Sequence, residues 1–389
     1  DRTRLIGLVT ANAVLVVTSS VIADTRTREG LEKLFESANV GVSMVRFDRD
    51  PDDLAGDELA SAPHGRYREA SPDAVNAIVA HPRAKRPDGV VAIGGGSTID
   101  TGKALAAAFV EGVPVETLLE GGGTRPPSGR RLPFVAVPTT AGTGSEATKN
   151  AVLSRPGPDG FKKSLRHDNF VPDLALIDPL LHLSCPSDVT AASGLDAITQ
   201  LLEAYVSTRA TPLTDALALD GLAAAGRSYL RAVGRGESDV DARAGMAYAA
   251  YLSGVCLASA GLGTVHGLAG PAGAFTSVPH GLFCGLLLPH VTRRTVDALQ
   301  GRRDALGVLG KYAAAGRALT GRTTGSLEDQ IEMLVDRLSE FARAGSLPGL
   351  RAFGFNDEAA RRVAGAGDNK TNPYAFSVEE RTSLIGAAL

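Results

Sequence analysis

Apolar residues in the first half of the chain fall in short continuous runs separated by helical patterns. AVLVVTSS (13–20) reads as a buried strand, TREGLEKLFESA (27–38) as an amphipathic helix and GVSMVRF (41–47) as the next strand. Ser71, a good N-cap, followed by Pro72 at the first helical position, starts a helix over 71–80. GVVAIGGGSTIDTGKALAAAF (89–109) reads as strand, glycine turn and helix, and PFVAVPTT (133–140) as another strand. Continuous apolar strands between helices predict a parallel sheet covered on both faces. From about Pro186 the strand signal ends, and Ala- and Leu-rich helical patterns follow over 188–206, 213–233, 240–260 and on to Leu389. The pattern therefore predicts an α/β domain over 1–185, with its parallel sheet flanked by helices, and an all-α domain over 186–389. The break falls in PDLALIDPLLHLSCPSD, and EGGGTRPPSGRR (120–131) is expected to be an exposed loop.

Composition narrows the function classes. The chain of 389 residues is 44% hydrophobic, long enough for two cores, and its net charge of −3 with 21% charged residues gives no footprint for nucleic acid or a membrane surface. Cys185, Cys256 and Cys284 are scattered without metal-ligand spacing and read as core thiols in a reducing compartment. No apolar run reaches transmembrane length and no signal-peptide pattern is visible, so a cytoplasmic protein is expected. Because the chain starts at Asp1 without Met, a short preceding piece is expected as well.

Two loops carry a cofactor signal. Gly94, Gly95 and Gly96 sit between a strand and a helix, where glycine permits close backbone approach to a ligand. Ser97 and Asp100 have the S-x-x-D spacing of a capping box, and a helix N-terminus there suits a pyrophosphate. VPTTAGTGSEATKNAVL (137–153) crowds Thr139, Thr140, Thr143, Ser145 and Thr148 after a strand end, as a loop wrapping a phosphate, ribose or ring amide would. A capped turn and a self-satisfied hydroxyl loop, each without ligand, are the alternatives. Two such loops at strand ends of one parallel sheet favour a dinucleotide.

A third signal is chemical. In SGLDAITQLLEAYV (193–206), Asp196 and Gln200 stand four residues apart on one helical face inside an apolar stripe. Two of only seven histidines, His266 and His280, lie among glycines and prolines in GTVHGLAGPAGAFTSVPHG, with His290 beyond. A carboxylate, an amide oxygen and two imidazoles together would suit Fe, Zn or Mn as divalent ions.

GGGSTIDTGK, PTTAGTGSE, PDLALIDP, SGLDAITQLLEAYVS and GLGTVHGLAGPAGAFTSVPHG, in this order over about residues 87–291, resemble the iron-containing (group III) alcohol dehydrogenases. The resemblance implies an N-terminal dinucleotide-binding domain, a C-terminal helical domain, an active site in the cleft between them and a homodimer. By motif position, Gly95, Gly96 and Ser97 would hold the pyrophosphate, with Asp100 beside it. Thr139, Thr140, Thr143 and Ser145 would line the nicotinamide side, and Lys162, with Lys163 adjacent, falls near a family lysine that approaches the cofactor. Asp196, His266 and His280 match three of four family metal ligands. Gln200 stands where the fourth is usually His, and Gly270 stands where the family has a further imidazole near the substrate.

Three outcomes follow for the site: a metal retained with Gln200 as a ligand; no metal, with Gln200 hydrogen-bonding the substrate; or an inactive site. The first strand ends in Ser19 and Ser20 rather than an acid, so NAD and NADP are both open, with Arg26 and Arg28 near in sequence. The expected activity is reversible hydride transfer between the nicotinamide and an alcohol or aldehyde, with His280, His266 and Gln200 as the catalytic groups and the metal polarising the substrate oxygen. Asn150, Phe275 and Phe283 are candidate pocket lining, with core packing the alternative for the two aromatics, and Lys370, near Asn369 and Asn372, reads as a solvated lysine, with a role facing an anionic substrate as the alternative. The alternatives are a metal-independent reductase of the maleylacetate type, a non-redox NAD enzyme of the dehydroquinate synthase type, and a non-catalytic nucleotide-binding protein.

Overall fold

The structure, a computed structural model, describes residues 13–18, 33, 35, 37, 40–46, 69–81 and 87–389. The expected helix over 27–38 and the positions Ser19, Ser20, Arg26 and Arg28 lie wholly or mostly outside these residues.

The described strands of the first unit are β1 (Ala13–Thr18), β2 (Gly41–Arg46), β3 (Gly89–Gly94), β4 (Phe134–Pro138) and β7 (Leu174–Ala175), in the spatial order β2-β1-β3-β4-β7 and all parallel. β3 and β4 are buried at every position, as strands covered on both faces must be. Helix α1 (Pro72–Ala80) starts as expected: the Ser71 hydroxyl accepts the Ala74 N–H at 3.2 Å. Helix α2 (Gly96–Glu111) lies tightly on the sheet, because a Cβ at Gly102 would stand 2.7 Å from the Ala92 Cβ and 2.9 Å from Phe134. Two further strands, β5 (Asn150–Arg155) and β6 (Phe161–Arg166), pair as a separate ribbon that periodicity did not reveal.

The second unit is helical: α3 (Ser187–Val206), α4 (Pro212–Arg235), α5 (Val240–Ala260), α6 (Thr264–Phe275), α7 (His280–Leu299), α8 (Leu306–Thr320), α9 (Leu327–Ala342), α10 (Asp357–Ala366) and α11 (Val378–Ala387). α3 is buried along nearly its whole length and anchors one continuous apolar core. Among the described residues no single helix is long and apolar enough to cross a membrane. Compactness divides the chain into the described residues up to Thr139 with Ser145–Arg155 and Lys162–Asp178, and a second unit of Thr140–Gly144, Pro156–Phe161 and Pro179–Leu389.

Candidate active site

In the first unit the glycine turn and the threonine loop meet at adjoining strand ends. β3 and β4 are in register at Gly94 and Pro138, and the Thr139 N–H donates to the Gly94 carbonyl at 2.9 Å. The expected capping box does not form. Helix α2 is capped by Gly95, in extended conformation and with no side-chain cap bond, which places Ser97 inside the first turn. Asp100 is diverted instead: its carboxylate accepts the Ser145 hydroxyl at 2.5 Å and the Val152 N–H at 3.1 Å. Burial holds its pKa above the usual carboxylate range, against the opposing pull of Lys103, the two hydrogen bonds and Lys162. The N-cap residue of α2 thus supplies no side-chain acceptor to the N-terminal amides, an arrangement that suits a phosphate.

Lys103, to which the sequence reading gave no role, holds the second loop. Its fully buried ammonium donates to the carbonyls of Ser145 (2.9 Å), Thr148 (2.8 Å) and Asn150 (2.7 Å). Burial lowers its pKa to about 8. Lys103→Met should leave three buried carbonyls without their donor and lower unfolding stability by about 3 kcal/mol or more, read by denaturant unfolding. Lys162 pairs with Glu69 at 2.5 Å, whereas Lys163 reaches the Gly121 carbonyl at 2.9 Å. Thr139 and Ser145 belong to the first unit, Thr140 and Thr143 to the second.

The second unit collects the metal-type donors. Asp196, Gln200 and Glu203 lie on one face of α3, and His280 and Cys284 one turn apart on α7. The two helices approach closely because glycine stands at the crossing. A Cβ at Gly281 would lie 2.3 Å from the Ala192 carbonyl oxygen, and one at Gly285 2.4 Å from Leu195. His266 enters from the first turn of α6, where Glu203 caps the helix: its Oε1 accepts the Val265 N–H at 2.7 Å. The other Glu203 oxygen is 2.7 Å from His266 Nδ1. A carboxylate only accepts, so Nδ1 carries the hydrogen there and Nε2 turns its lone pair inward. Nε2 then faces Asp196 Oδ1 at 3.2 Å, with His280 Nε2 at 3.6 Å from the same oxygen.

Acceptors facing one another in a buried site call for a cation between them: a proton, or a metal ion. Burial works against charging His266, yet Cys284, Asp196 and Glu203 together hold its pKa well above the ordinary imidazole range. Asp196, His266, His280 and Cys284 each present one donor atom, all within 4.8 Å of one another. These residues thus fit a divalent ion. Glu203→Gln should weaken metal affinity by about 10- to 100-fold, measured by competition with a chromogenic chelator, because it frees the tautomer and orientation of His266.

Gln200 is engaged at both ends of its amide: Nε2 donates to Asp196 Oδ2 at 3.0 Å, and Oε1 accepts the Ser253 hydroxyl at 2.6 Å. Gly270 has open space where a side chain would start, so the position makes no steric demand for glycine. Phe283 is fully buried, stacked 5.7 Å from Phe355 in the helical core, and Phe275 lies beneath the Arg362 guanidinium. Asn150 serves through its backbone carbonyl. Asn369 and Asn372 tie the C-terminal segment to Thr264, Phe376, Thr295 and Tyr374, and Lys370 is exposed. Sequence reading missed Glu203 and Cys284, although each keeps helical spacing from a residue it did find: seven after Asp196 and four after His280.

The helical unit thus holds a buried carboxylate with two imidazoles, and the other unit holds a parallel sheet with a glycine-turn helix. The sequence model described as "Iron-containing alcohol dehydrogenase" matches residues 64–179, and that described as "Fe-containing alcohol dehydrogenase family, C-terminal" matches residues 190–389. The chain belongs to the iron-containing alcohol dehydrogenase family. It is similar to the probable alcohol dehydrogenase EutG of Escherichia coli, 43% identical over 220 residues that cover 56% of this chain and 54% of that protein. It is 33% identical to alcohol dehydrogenase 4 of Saccharomyces cerevisiae over 304 residues, covering 77% of this chain and 75% of that protein. The first-ranking curated relatives are matched over about half to two thirds of their length. The crystal structure of a 1,3-propanediol oxidoreductase superposes with a TM-score of 0.81 at 28% identity, over 100% of this chain and 94% of that one.

Proposed function

We propose that this protein is an NAD(P)-dependent alcohol dehydrogenase or aldehyde reductase acting on a small-molecule alcohol or aldehyde with a divalent metal. The observation that carries the reading is the clustering of donor atoms of Asp196, His266 and His280 within 4.8 Å of one another, with Glu203 fixing the His266 tautomer. Family membership, and relatives named alcohol and 1,3-propanediol dehydrogenases, support it.

Asp196, His266 and His280 hold the ion, with Fe, Zn or Mn compatible with these donors. When bound, the ion supplies Lewis acidity toward the substrate oxygen, and the nicotinamide supplies or takes the hydride. Gly95, Gly96 and Ser97 would bind the pyrophosphate through backbone N–H groups, Asp100 orients the neighbouring loop through Ser145, and Thr139, Thr140, Thr143 and Ser145 are the residues the family resemblance assigns to the nicotinamide. Lys162, paired here with Glu69, is the residue the family resemblance assigns to the cofactor. Gln200 holds Asp196 in place. Position 270 offers no imidazole, and of the two rings at the centre His280 is the one that retains solvent exposure, with a 26% exposed side chain. A homodimer in a reducing cytoplasm completes the reading, in keeping with three buried free cysteines.

The test is a screen of aldehydes with NADH and NADPH, following nicotinamide absorbance, on protein whose metal content is measured first. Net oxidation of one cofactor with at least one aldehyde is expected. A cofactor that binds and never turns over with any aldehyde or alcohol would contradict the reading.

A further inference from the structure

We propose that Cys284 is the fourth protein ligand of the metal centre, that Gln200 braces Asp196 rather than binding the ion, and that the resulting one-sulfur site prefers zinc to iron(II). The proposal rests on the metal centre described above and assigns its remaining donor.

The distances argue for it. A tetrahedral zinc site with Zn–N and Zn–O near 2.0–2.1 Å and Zn–S near 2.3 Å has edges of about 3.3 Å between N or O donors and about 3.6 Å between sulfur and nitrogen. Cys284 Sγ lies 3.8 Å from His280 Nε2 and 3.9 Å from His266 Nε2. The two edges from those nitrogens to Asp196 Oδ1 are 3.2 and 3.6 Å. All four are close to tetrahedral lengths, so small adjustments would seat an ion.

The second argument is what Gln200 is doing. Because Asp196 can only accept, the amide NH2 must face it, and this fixes the carbonyl toward Ser253. Turning Oε1 to an ion would break both bonds and set two acceptors, the Gln200 carbonyl and Asp196 Oδ2, against each other. Held as it is, the amide steadies Asp196 Oδ2 while Oδ1 faces the imidazoles, which is the work of an outer-shell partner.

Cys284 also differs from an ordinary core thiol. Cys256, equally buried, has a backbone carbonyl, that of Thr214, as its polar neighbour. Cys284 meets two ring nitrogens, and it is brought there by its one-turn spacing from His280 and by the glycines flanking the crossing with α3. A thiolate is a soft donor. Replacing an imidazole by sulfur widens the margin by which such a site takes zinc over iron(II).

The experiment uses the full chain, stripped of metal with a chelator and reloaded with one equivalent of zinc. Zinc-edge X-ray absorption should show one sulfur at about 2.3 Å beside nitrogen and oxygen donors. Cys284→Ser should lose that shell and bind zinc at least about tenfold more weakly, since loss of a ligand exceeds the effect of losing an outer-shell partner. Its preference for zinc over iron(II) in anaerobic competition should fall by a similar factor. Circular dichroism reports whether the variant folds, and the wild-type spectrum decides the question without it. One bound zinc with a nitrogen and oxygen shell alone overturns the proposal and leaves the metal centre standing. Failure to bind zinc or any other divalent ion overturns both.

Discussion

Asp196→Asn is expected to remove the bound metal and lower kcat for aldehyde reduction by about 10³-fold, while the protein stays folded. Losing a Lewis acid forfeits several kcal/mol of transition-state stabilisation, and about 4 kcal/mol corresponds to that factor. The substitution is nearly isosteric, and the surroundings suit it. The asparagine oxygen would accept the Gln200 amide that now reaches Asp196 Oδ2, and its NH2 would donate to the His266 Nε2 lone pair that now faces Oδ1. The site then satisfies itself with neutral hydrogen bonds and no longer needs a cation. Elemental analysis, steady-state kinetics and thermal unfolding of the same preparation check the three parts. Unchanged kcat in metal-free Asp196→Asn protein would contradict the role given to this carboxylate.

Gly95→Asp should separate stability from cofactor binding. Gly95 caps helix α2 with φ −76° and ψ −174°, a conformation open to any residue. Aspartate is a preferred N-cap, so the variant should gain about 0.5–1 kcal/mol in stability. The same carboxylate occupies the terminus and repels a pyrophosphate, so dinucleotide affinity should fall by about 100-fold or more. Thermal unfolding without ligand and fluorescence titration with NADH and NADPH read the two effects. If the turn were an unliganded structural feature, stability would rise and dinucleotide affinity would not change.

Much of this was legible in the sequence because it depends on period and punctuation. Continuous apolar runs between helices predicted the parallel strands, and loss of that pattern after Pro186 predicted an all-helical second half. The spacing of Asp196 and Gln200 put them on one face, where the structure also has them. Spacing does not say which atom of an amide points where, so the engagement of Gln200 by Asp196 and Ser253 became visible only in three dimensions. The S-x-x-D pattern at Ser97 and Asp100 was misleading for a related reason. Gly95 rather than Ser97 ends the extended segment, and Asp100 is claimed by a loop 45 residues away. The buried Lys103 and the β5–β6 ribbon rest on long-range contacts that no local pattern encodes. Cys284 is the buried free thiol the sequence predicted, and its nearness to His266, which comes from another helix, became visible only in three dimensions.

The most direct test of the account measures aldehyde reduction while a divalent ion is titrated into chelator-stripped protein at saturating nicotinamide cofactor. Activity should be negligible without metal, rise linearly, and level off at one ion per chain. Full turnover by the stripped protein, or a plateau unrelated to stoichiometry, would contradict a catalytic metal held by Asp196, His266 and His280.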